Sequence, residues 1–473
     1  HNLETSNVVE TSIERIIMLD LIVIGAGPGG TELALGADAL SWDVALVEKD
    51  TLGGTCVNRG CIPTKALLHA TESLITLEQL MDEGLSQESI LEAQREALSL
   101  DVLLPYRDRQ SQASVDGLKS QLKRSKVQLI EGNARIVEPG KVEVDGTVYE
   151  AKRIVLATGS VPAIPPIPGL DLPGVYTSDA FLDAKANWPQ PLNHLVIIGG
   201  GVIGVEMADV CQRLGIQVTV IEALDRLLPN LDKGLSRALK QTFKKRGIDV
   251  YTGSAVQEVT SVDDALEVHL DDESIACDAV LVATGRRALT EEVTDLEIAK
   301  ERHSFKVNEN FETSVPRIYA IGDVRSGSLM LAHEATNDAR QLLNIWQGGK
   351  RYYPAVPSCI YTSPEIAQVG LTQDNAKEQG IKVKAARAST LANARNRMAG
   401  GERGYVNLVF DEDGILLGAQ WMGDRATDLI DQLTTAIDLK LSIQDLRQSI
   451  KPHPTFVETL DQALLAAEAK FKR

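Results

Sequence analysis

Short, wholly apolar runs alternate along this chain with longer stretches whose apolar residues recur at helical spacing. Asp20-Leu21-Ile22-Val23-Ile24 reads as a buried strand. It runs into Gly25-Ala26-Gly27-Pro28-Gly29-Gly30 and opens a helical stretch from Thr31 to Leu40, and a second strand, Val44-Ala45-Leu46-Val47, ends in Glu48. The pattern then repeats. Leu195-Val196-Ile197-Ile198 leads into Gly199-Gly200-Gly201-Val202-Ile203-Gly204, a helix to Leu214, the strand Val218-Thr219-Val220-Ile221 and Glu222. Each half closes later on an apolar strand and the same tripeptide, Ala157-Thr158-Gly159 and Ala283-Thr284-Gly285. The pattern predicts two α/β units of the dinucleotide-binding, doubly wound kind.

The stretches between them carry weaker signals. Ala66 to Leu77 is apolar at helical spacing, and the charged stretch to about Ser125 reads as solvated helices without chemistry. Residues 126–156 alternate as β-structure at Val127, Leu129, Val142, Val144 and Val148. Val161 to Gly169 holds four prolines and cannot be a regular helix or a central strand, so it reads as a linker. From Tyr353 onward, strands at Tyr405–Phe410 and Leu416–Met422 and helices at Thr427–Leu439 and Phe456–Ala467 predict a separate α+β domain. The expected division is 18–160 and 286–352 for the two parts of the first nucleotide-binding domain, 161–285 for the second, and 353–473 for the last domain.

The glycines have separate tasks in such a unit. Gly25 and Gly199 make the tight turn, Gly27 and Gly201 admit a pyrophosphate, and Gly30 and Gly204 let the helix pack closely on its strand. The phosphates then lie at the helix N-terminus, where free amides and the dipole favour negative charge. Glu48 and Glu222 stand at the same offset from their first glycines, placed for a ribose hydroxyl. No arginine occupies Ala223 or Leu224, so the second nucleotide is expected to be NAD rather than NADP.

Candidate redox chemistry sits inside the first unit, at Gly53-Gly54-Thr55-Cys56-Val57-Asn58-Arg59-Gly60-Cys61-Ile62-Pro63-Thr64-Lys65. On a bent helical turn, two sulfurs this close form a bridge that opens and closes; the alternative is a pair of ordinary small hydrophobes. Cys211, Cys277 and Cys359 read as buried thiols of a reducing compartment. Asp323 by itself reads as a turn cap, and His453 with Glu458 as a surface histidine beside a capping acid, with His453-Pro454 a candidate cis peptide. The length of 473 residues suggests about three domains. A net charge of -18 argues against a nucleic-acid partner and favours a basic protein partner, and no apolar run approaches the ~18 residues of a membrane span. Residues 1–17 show no signal-peptide pattern, so the cytoplasm is expected, or an organelle matrix or stroma if a transit peptide has been removed.

In combination, the cysteine segment, the two glycine units, the two A-T-G endings, Ala320-Ile321-Gly322-Asp323, Tyr361-Thr362-Ser363-Pro364-Glu365 and His453-Pro454-Thr455 resemble the flavin-dependent pyridine nucleotide-disulfide oxidoreductases, over nearly the whole chain. The resemblance implies FAD on the first unit, NAD on the second, a C-terminal domain that forms a homodimer, and an active site completed across the subunit boundary. It implies Cys56 as the thiol that meets substrate, Cys61 as the flavin-side sulfur, Lys65 paired with Glu206 beside the flavin, and His453 as the base from the other subunit, oriented by Glu458. By position, Gly25, Gly27, Gly30, Glu48, Lys49, Gly54, Thr55, Lys65, Ala134, Thr158, Gly159, Asp323, Met330, Leu331, Ala332 and His333 fall to FAD. Gly199, Gly201, Gly204, Glu222 and Gly285 fall to NAD, and no metal is implied. The resemblance is greatest to members that oxidise protein-bound dihydrolipoamide with NAD, serving a lipoyl-bearing acyltransferase of 2-oxoacid dehydrogenase complexes or the carrier protein of glycine cleavage. The alternatives are an NAD(P)H-dependent reductase of another disulfide, such as glutathione, and a non-catalytic complex subunit. The chain departs from the family pattern at Thr64, through Leu35 to Asp43, where a glycine is expected near Ser41 or Trp42, and at 391–403, with Asn393, Arg395, Asn396 and Arg397.

Overall fold

The computed structural model describes residues 18–183, 186–262, 265–401 and 404–472. They form two compact units. One contains the chain up to Gly54 with Leu118–Gly159 and Ala288–Arg351; the other contains Thr55–Gly117, Ser160–Arg287 and the chain from Tyr352 onward.

The first unit is built on a parallel five-stranded sheet in the order Ile318–Ala320, Ile154–Leu156, Leu21–Ile24, Val44–Glu48, Gln128–Glu131. Its central strand, Leu21–Ile24, is buried throughout, as a parallel strand covered on both faces must be. The Pro28–Ala39 helix packs against the Ala332–Trp346 helix. Glycines make that approach possible: a Cβ at Gly29 would stand 2.9 Å from the Ala335 carbonyl oxygen, and one at Gly36 would overlap the Leu343 side chain. After this helix Ser41 takes the left-handed conformation, φ 62, where a glycine was expected. A non-glycine residue there costs about 1–2 kcal/mol. The turn is held by Trp42 and Trp346, 5.4 Å apart, with the Arg153 guanidinium 4.6 Å from the Trp42 ring and 5.4 Å from the Trp346 ring.

The second unit repeats the parallel sheet, in the order Asp249–Thr252, Gln217–Glu222, His194–Ile198, Ala279–Val282, Val175–Thr177. It also carries an antiparallel sheet, Ser358–Ile360, Ile366–Gly370, Leu416–Met422, Tyr405–Phe410, Lys384–Ser389, covered by the Ala426–Asp438 and Glu458–Phe471 helices. One apolar cluster joins Leu195, Val205 and Leu281 of the parallel part to Ile360, Ile366 and Met422 of the antiparallel part and to Leu67 and Leu103.

Three expectations are corrected. The single helix expected over 66–77 is two, Cys61–Ala70 and Glu72–Asp82. At the junction Thr71 Oγ1 donates to the Leu67 and Leu68 carbonyls at 2.9 and 3.1 Å, and Arg213 Nη1 donates to the Leu68 carbonyl at 2.9 Å, so side chains compete for the last carbonyls of the first helix while the Thr71 N–H stays on Leu67. The stretch read as solvated helices, Glu88–Ala97 and Leu100–Lys123, contains Arg107, which is fully buried and donates to the Phe181 and Ala186 carbonyls. Of the three cysteines read as buried, Cys211 and Cys277 are buried and Cys359 is half-buried. Among the described residues no helix is long and apolar enough to cross a membrane.

Candidate active site

Two short helices, Gly54–Arg59 and Cys61–Ala70, meet at Gly60, whose φ of -145 and ψ of -108 break the run. A Cβ at Gly60 would stand 3.0 Å from the Thr55 carbonyl oxygen, so the kink suits glycine. The break brings the Cys56 and Cys61 side chains into hydrogen-bonding contact as free, half-exposed thiols. The contact splits their acidities. The hydrogen bond from Cys56, helped by the Lys65 charge, lowers the Cys61 thiol to about 7 against the opposing effect of burial. The same bond, with burial, holds the proton on Cys56. The other thiols move the opposite way, chiefly because they are buried: Cys211 and Cys277 to about 12, Cys359 to about 11. One sulfur out of five is therefore poised as a thiolate near neutrality.

Lys65, one turn beyond Cys61, is fixed by long-range contacts. Its Nζ lies 2.8 and 3.1 Å from the two carboxylate oxygens of Glu206 and 4.6 Å from the Tyr361 ring centroid. Glu206 is buried on the Val202–Arg213 helix and also accepts from the Tyr361 backbone N–H at 3.0 Å. One turn along, Asp209 is fully buried, pairs with Arg213 and Arg246, and accepts from the Ser363 N–H at 2.8 Å. Two acids on one helix face thus hold the Tyr361–Ser363 segment beside Lys65. Arg286 holds the start of the cysteine helix: it donates to Thr55 Oγ1 at 3.3 Å and to the Ser160 carbonyl at 2.8 Å, and pairs with Asp179 at 2.6 Å. Tyr361, Asp209 and Arg286 were absent from the site read in the sequence. The Tyr-Thr-Ser-Pro-Glu motif and the residue after the second Ala-Thr-Gly were the only signals for them.

The His453-Pro454 peptide is cis. His453 Nδ1 lies 2.8 Å from Glu458 Oε2, and the Thr455 N–H donates to Glu458 Oε1 at 2.6 Å. The histidine hydrogen bond, then the Thr455 amide, lowers the Glu458 carboxyl below its usual range. A carboxylate at Nδ1 fixes the tautomer that carries its proton there and leaves Nε2 as acceptor. The His453 side chain is 75% exposed.

The two glycine loops are built alike. Gly25 and Gly199 have φ of 105 and 115, and a Cβ on either would overlap the carbonyl oxygen of Ala157 or Ala283. The repeated Ala-Thr-Gly endings therefore back onto the first glycine of each loop. A Cβ at Gly30 or Gly204 would overlap the carbonyl oxygen of Gly25 or Gly199, whereas Gly27 and Gly201 face open space. The helices beginning there have no side-chain cap, so their first amides are open to an anion. Glu48 accepts from the Ala26 and Asp50 N–H groups at 2.8 and 2.9 Å; Glu222 accepts from Gly200 and Leu224 at 2.7 and 2.8 Å. Both loops fit a pyrophosphate on the helix amides with the acid beside it. Near Glu222, Arg226 is engaged with Asp225 and the Pro229 carbonyl.

Gly25, Gly27, Gly30, Glu48, Lys49, Gly54, Ala134, Thr158, Gly159, Asp323, Met330, Leu331, Ala332 and His333 lie in the first unit. Most of them follow the carboxyl ends of its parallel strands, where such sheets bind ligands. Ala134 is the exception, opening the Ala134–Glu138 strand of a small antiparallel sheet. Asp323 lies in a 3₁₀ turn, Gly322–Val324, and Met330 has φ 58 just before the Ala332–Trp346 helix, which opens without a side-chain cap. Arg325 braces this region through Asp338 at 2.6 Å and Glu334 at 2.8 Å. Thr55, Cys56, Cys61, Lys65, Gly199, Gly201, Gly204, Glu206, Glu222, Gly285, His453 and Glu458 lie in the second unit.

A family model described as pyridine nucleotide-disulphide oxidoreductase matches residues 19–339, and one described as the dimerisation domain of the same family matches 356–464. The chain is 37% identical to a dihydrolipoyl dehydrogenase of Thermus scotoductus, over 96% of this chain and 98% of that one. It is 35% identical to dihydrolipoyl dehydrogenase 3 of Pseudomonas putida, over 94% and 97% of the two chains. Among solved structures it is similar to an HOCl-induced flavoprotein disulfide reductase from Escherichia coli, with 26% identity, a TM-score of 0.84, and coverage of 94% of this chain and 99% of that one.

Proposed function

Since the chain belongs to the pyridine nucleotide-disulphide oxidoreductase family, we propose that it is a homodimeric flavoprotein that oxidises protein-bound dihydrolipoamide to lipoamide with NAD as acceptor. The observation that carries the reading is the Cys56–Cys61 contact beside Lys65, which makes Cys61 the one thiol whose pKa is lowered. The relatives named dihydrolipoyl dehydrogenase support the substrate. The glycine loop at Gly25 would hold FAD and that at Gly199 would hold NAD; beside Glu222, the engagement of Arg226 with Asp225 and the Pro229 carbonyl favours NAD over NADP. Residues 18–160 and 286–352 form the FAD-binding domain on this reading, 161–285 the NAD-binding domain and 353–473 the dimerisation domain.

The residues divide the work. His453 of one subunit, its Nδ1 held by Glu458, takes the substrate thiol's proton at Nε2. The resulting thiolate attacks Cys56 of the oxidised pair, forming one S–S bond as the Cys56–Cys61 bond breaks and Cys61 leaves as a thiolate. The second substrate thiol then displaces Cys56, closing lipoamide and leaving the pair reduced by two electrons. Lys65 favours the Cys61 thiolate, and Glu206 holds Lys65 in place. FAD held at the Gly25 loop would supply the acceptor for that electron pair, with NAD at the Gly199 loop as the final hydride acceptor. The natural substrate carrier is a lipoyl-bearing acyltransferase or the glycine-cleavage carrier protein, and the reducing cytoplasm suits free thiols.

The test is anaerobic titration of the purified yellow protein with dihydrolipoamide, followed by NAD. A long-wavelength charge-transfer band that disappears in Cys61→Ser, and NADH formation in the wild type, are expected. Bound flavin with no NADH formed would exclude this activity.

A further inference from the structure

The dyad of His453 and Glu458 stands on a segment, 449–457, without helix or strand, and the imidazole is largely exposed. Its anchor is a buried asparagine from elsewhere in the chain. Asn393 is 2% exposed, and its Nδ2 donates to the Thr455 carbonyl at 3.0 Å, the Phe456 carbonyl at 3.2 Å and Thr459 Oγ1 at 3.0 Å. Its Oδ1 accepts from the Asn396 N–H at 3.1 Å. This orientation of the amide is forced, because two of the three groups around Nδ2 are carbonyls, which only accept, and the group facing Oδ1 only donates. The Asn393 backbone is itself tied down. Its N–H donates to the Thr390 carbonyl at 3.0 Å, and buried Thr390 is bonded in both directions to Gly404 beside the antiparallel sheet.

The amide grips the chain on both sides of Glu458, at Thr455 and Phe456 before it and Thr459 after it. From there two bonds lead to the imidazole: Thr455 N–H to Glu458 Oε1, and Glu458 Oε2 to His453 Nδ1. Other contacts support the segment as well, among them the packing of Val457 on the apolar cluster of the antiparallel sheet. Thr455 Oγ1 donates to the Pro452 carbonyl, Lys451 caps the Leu446 and Ser449 carbonyls, and the Arg395 guanidinium lies 5.4 Å from the Phe456 ring. We propose that Asn393 is a positioning residue for dithiol oxidation, holding the Glu458 carboxylate at the bearing that orients His453; this rests on reading His453 as the substrate's base. A group that aims a base acts on geometry, and small displacements of reacting groups carry large rate costs.

Two substitutions separate this role from helix capping. Asn393→Asp and Asn393→Ser both keep an oxygen for the Asn396 N–H; the carboxylate has no donor for Thr455, Phe456 and Thr459, and the serine offers a single hydroxyl on a shorter side chain in place of the two amide donors. In the dimeric, flavin-loaded protein, dihydrolipoamide oxidation is expected to fall about tenfold in kcat with KM nearly constant, the loss of one well-aimed hydrogen-bonding group. NADH-driven reduction of an artificial dye needs no proton transfer at His453 and is expected to keep its wild-type rate. In a double-mutant cycle with Glu458→Gln, the second substitution is expected to add little, because both act through one carboxylate. Equal losses in the two assays, wild-type rates in both, or additive effects with Glu458→Gln would each overturn the positioning role. A wild-type protein that reduces dye with NADH yet never oxidises dihydrolipoamide would instead remove the reading of His453 on which it rests.

Discussion

At the scale of single residues, the chemistry turns on one sulfur whose surroundings oppose each other. Burial and the Glu206 carboxylate push the Cys61 thiol up, while the Cys56 hydrogen bond and the Lys65 charge bring it down to about 7. The thiolate population therefore grows as pH rises through about 7 in the reduced protein. Removing the cation in Lys65→Met is expected to move that titration to higher pH, read from the ultraviolet thiolate absorbance. An unmoved curve would mean that Lys65 is electrostatically idle. The same substitution strands the buried Glu206 carboxylate with the Tyr361 amide, so thermal stability should fall by about 1–3 kcal/mol. Ser41 makes a milder case. Its left-handed φ of 62 makes Ser41→Gly a stabilising change of about 1 kcal/mol, measured by urea unfolding.

Among the elements, the two glycine loops make one construction used twice, and the three glycines of each should respond differently. Gly30→Ala and Gly204→Ala place a methyl into the carbonyl of Gly25 or Gly199, so the helix cannot pack on its strand. These variants are expected to misfold locally, Gly30→Ala emerging colourless. Gly27→Ala and Gly201→Ala meet no atom within 4 Å and should fold normally. Their methyl nevertheless stands at the uncapped helix start where phosphate would lie. For Gly201→Ala we expect flavin content and melting temperature unchanged and the KM for NADH raised about tenfold. Unchanged NADH kinetics in that variant would displace the nucleotide from this loop.

At the scale of the whole molecule, the chain carries the dimerisation domain of its family, and the proposed mechanism has the partner's histidine complete each active site. Two proteins inactivated by Cys56→Ser and His453→Gln are therefore expected to complement each other. A heterodimer of the two has one site with both defects and one with neither, so random reassortment should restore about a quarter of wild-type activity. A histidine acting on its own chain's cysteines would restore none.

Much of this protein is legible without coordinates, for local reasons. The apolar runs at Leu21 and Leu195, the glycine loops, the positions of Glu48 and Glu222 and the two cysteines are patterns within short windows, and backbone geometry follows from such windows. What the windows omit is everything set by neighbours far along the chain. Glu206 reaches Lys65 across 141 residues and Tyr361 across 155, and Arg213 reaches the Leu68 carbonyl, 145 residues away, where the expected helix divides in two. The carbonyls behind Gly25 and Gly199, the buried Arg107 and the grip of Asn393 on the histidine segment belong to the same class. Spacing along the chain decides which residues are present. Burial and distance, which set the charge on a thiol or the aim of an imidazole, exist only once the sheets and helices have closed around them.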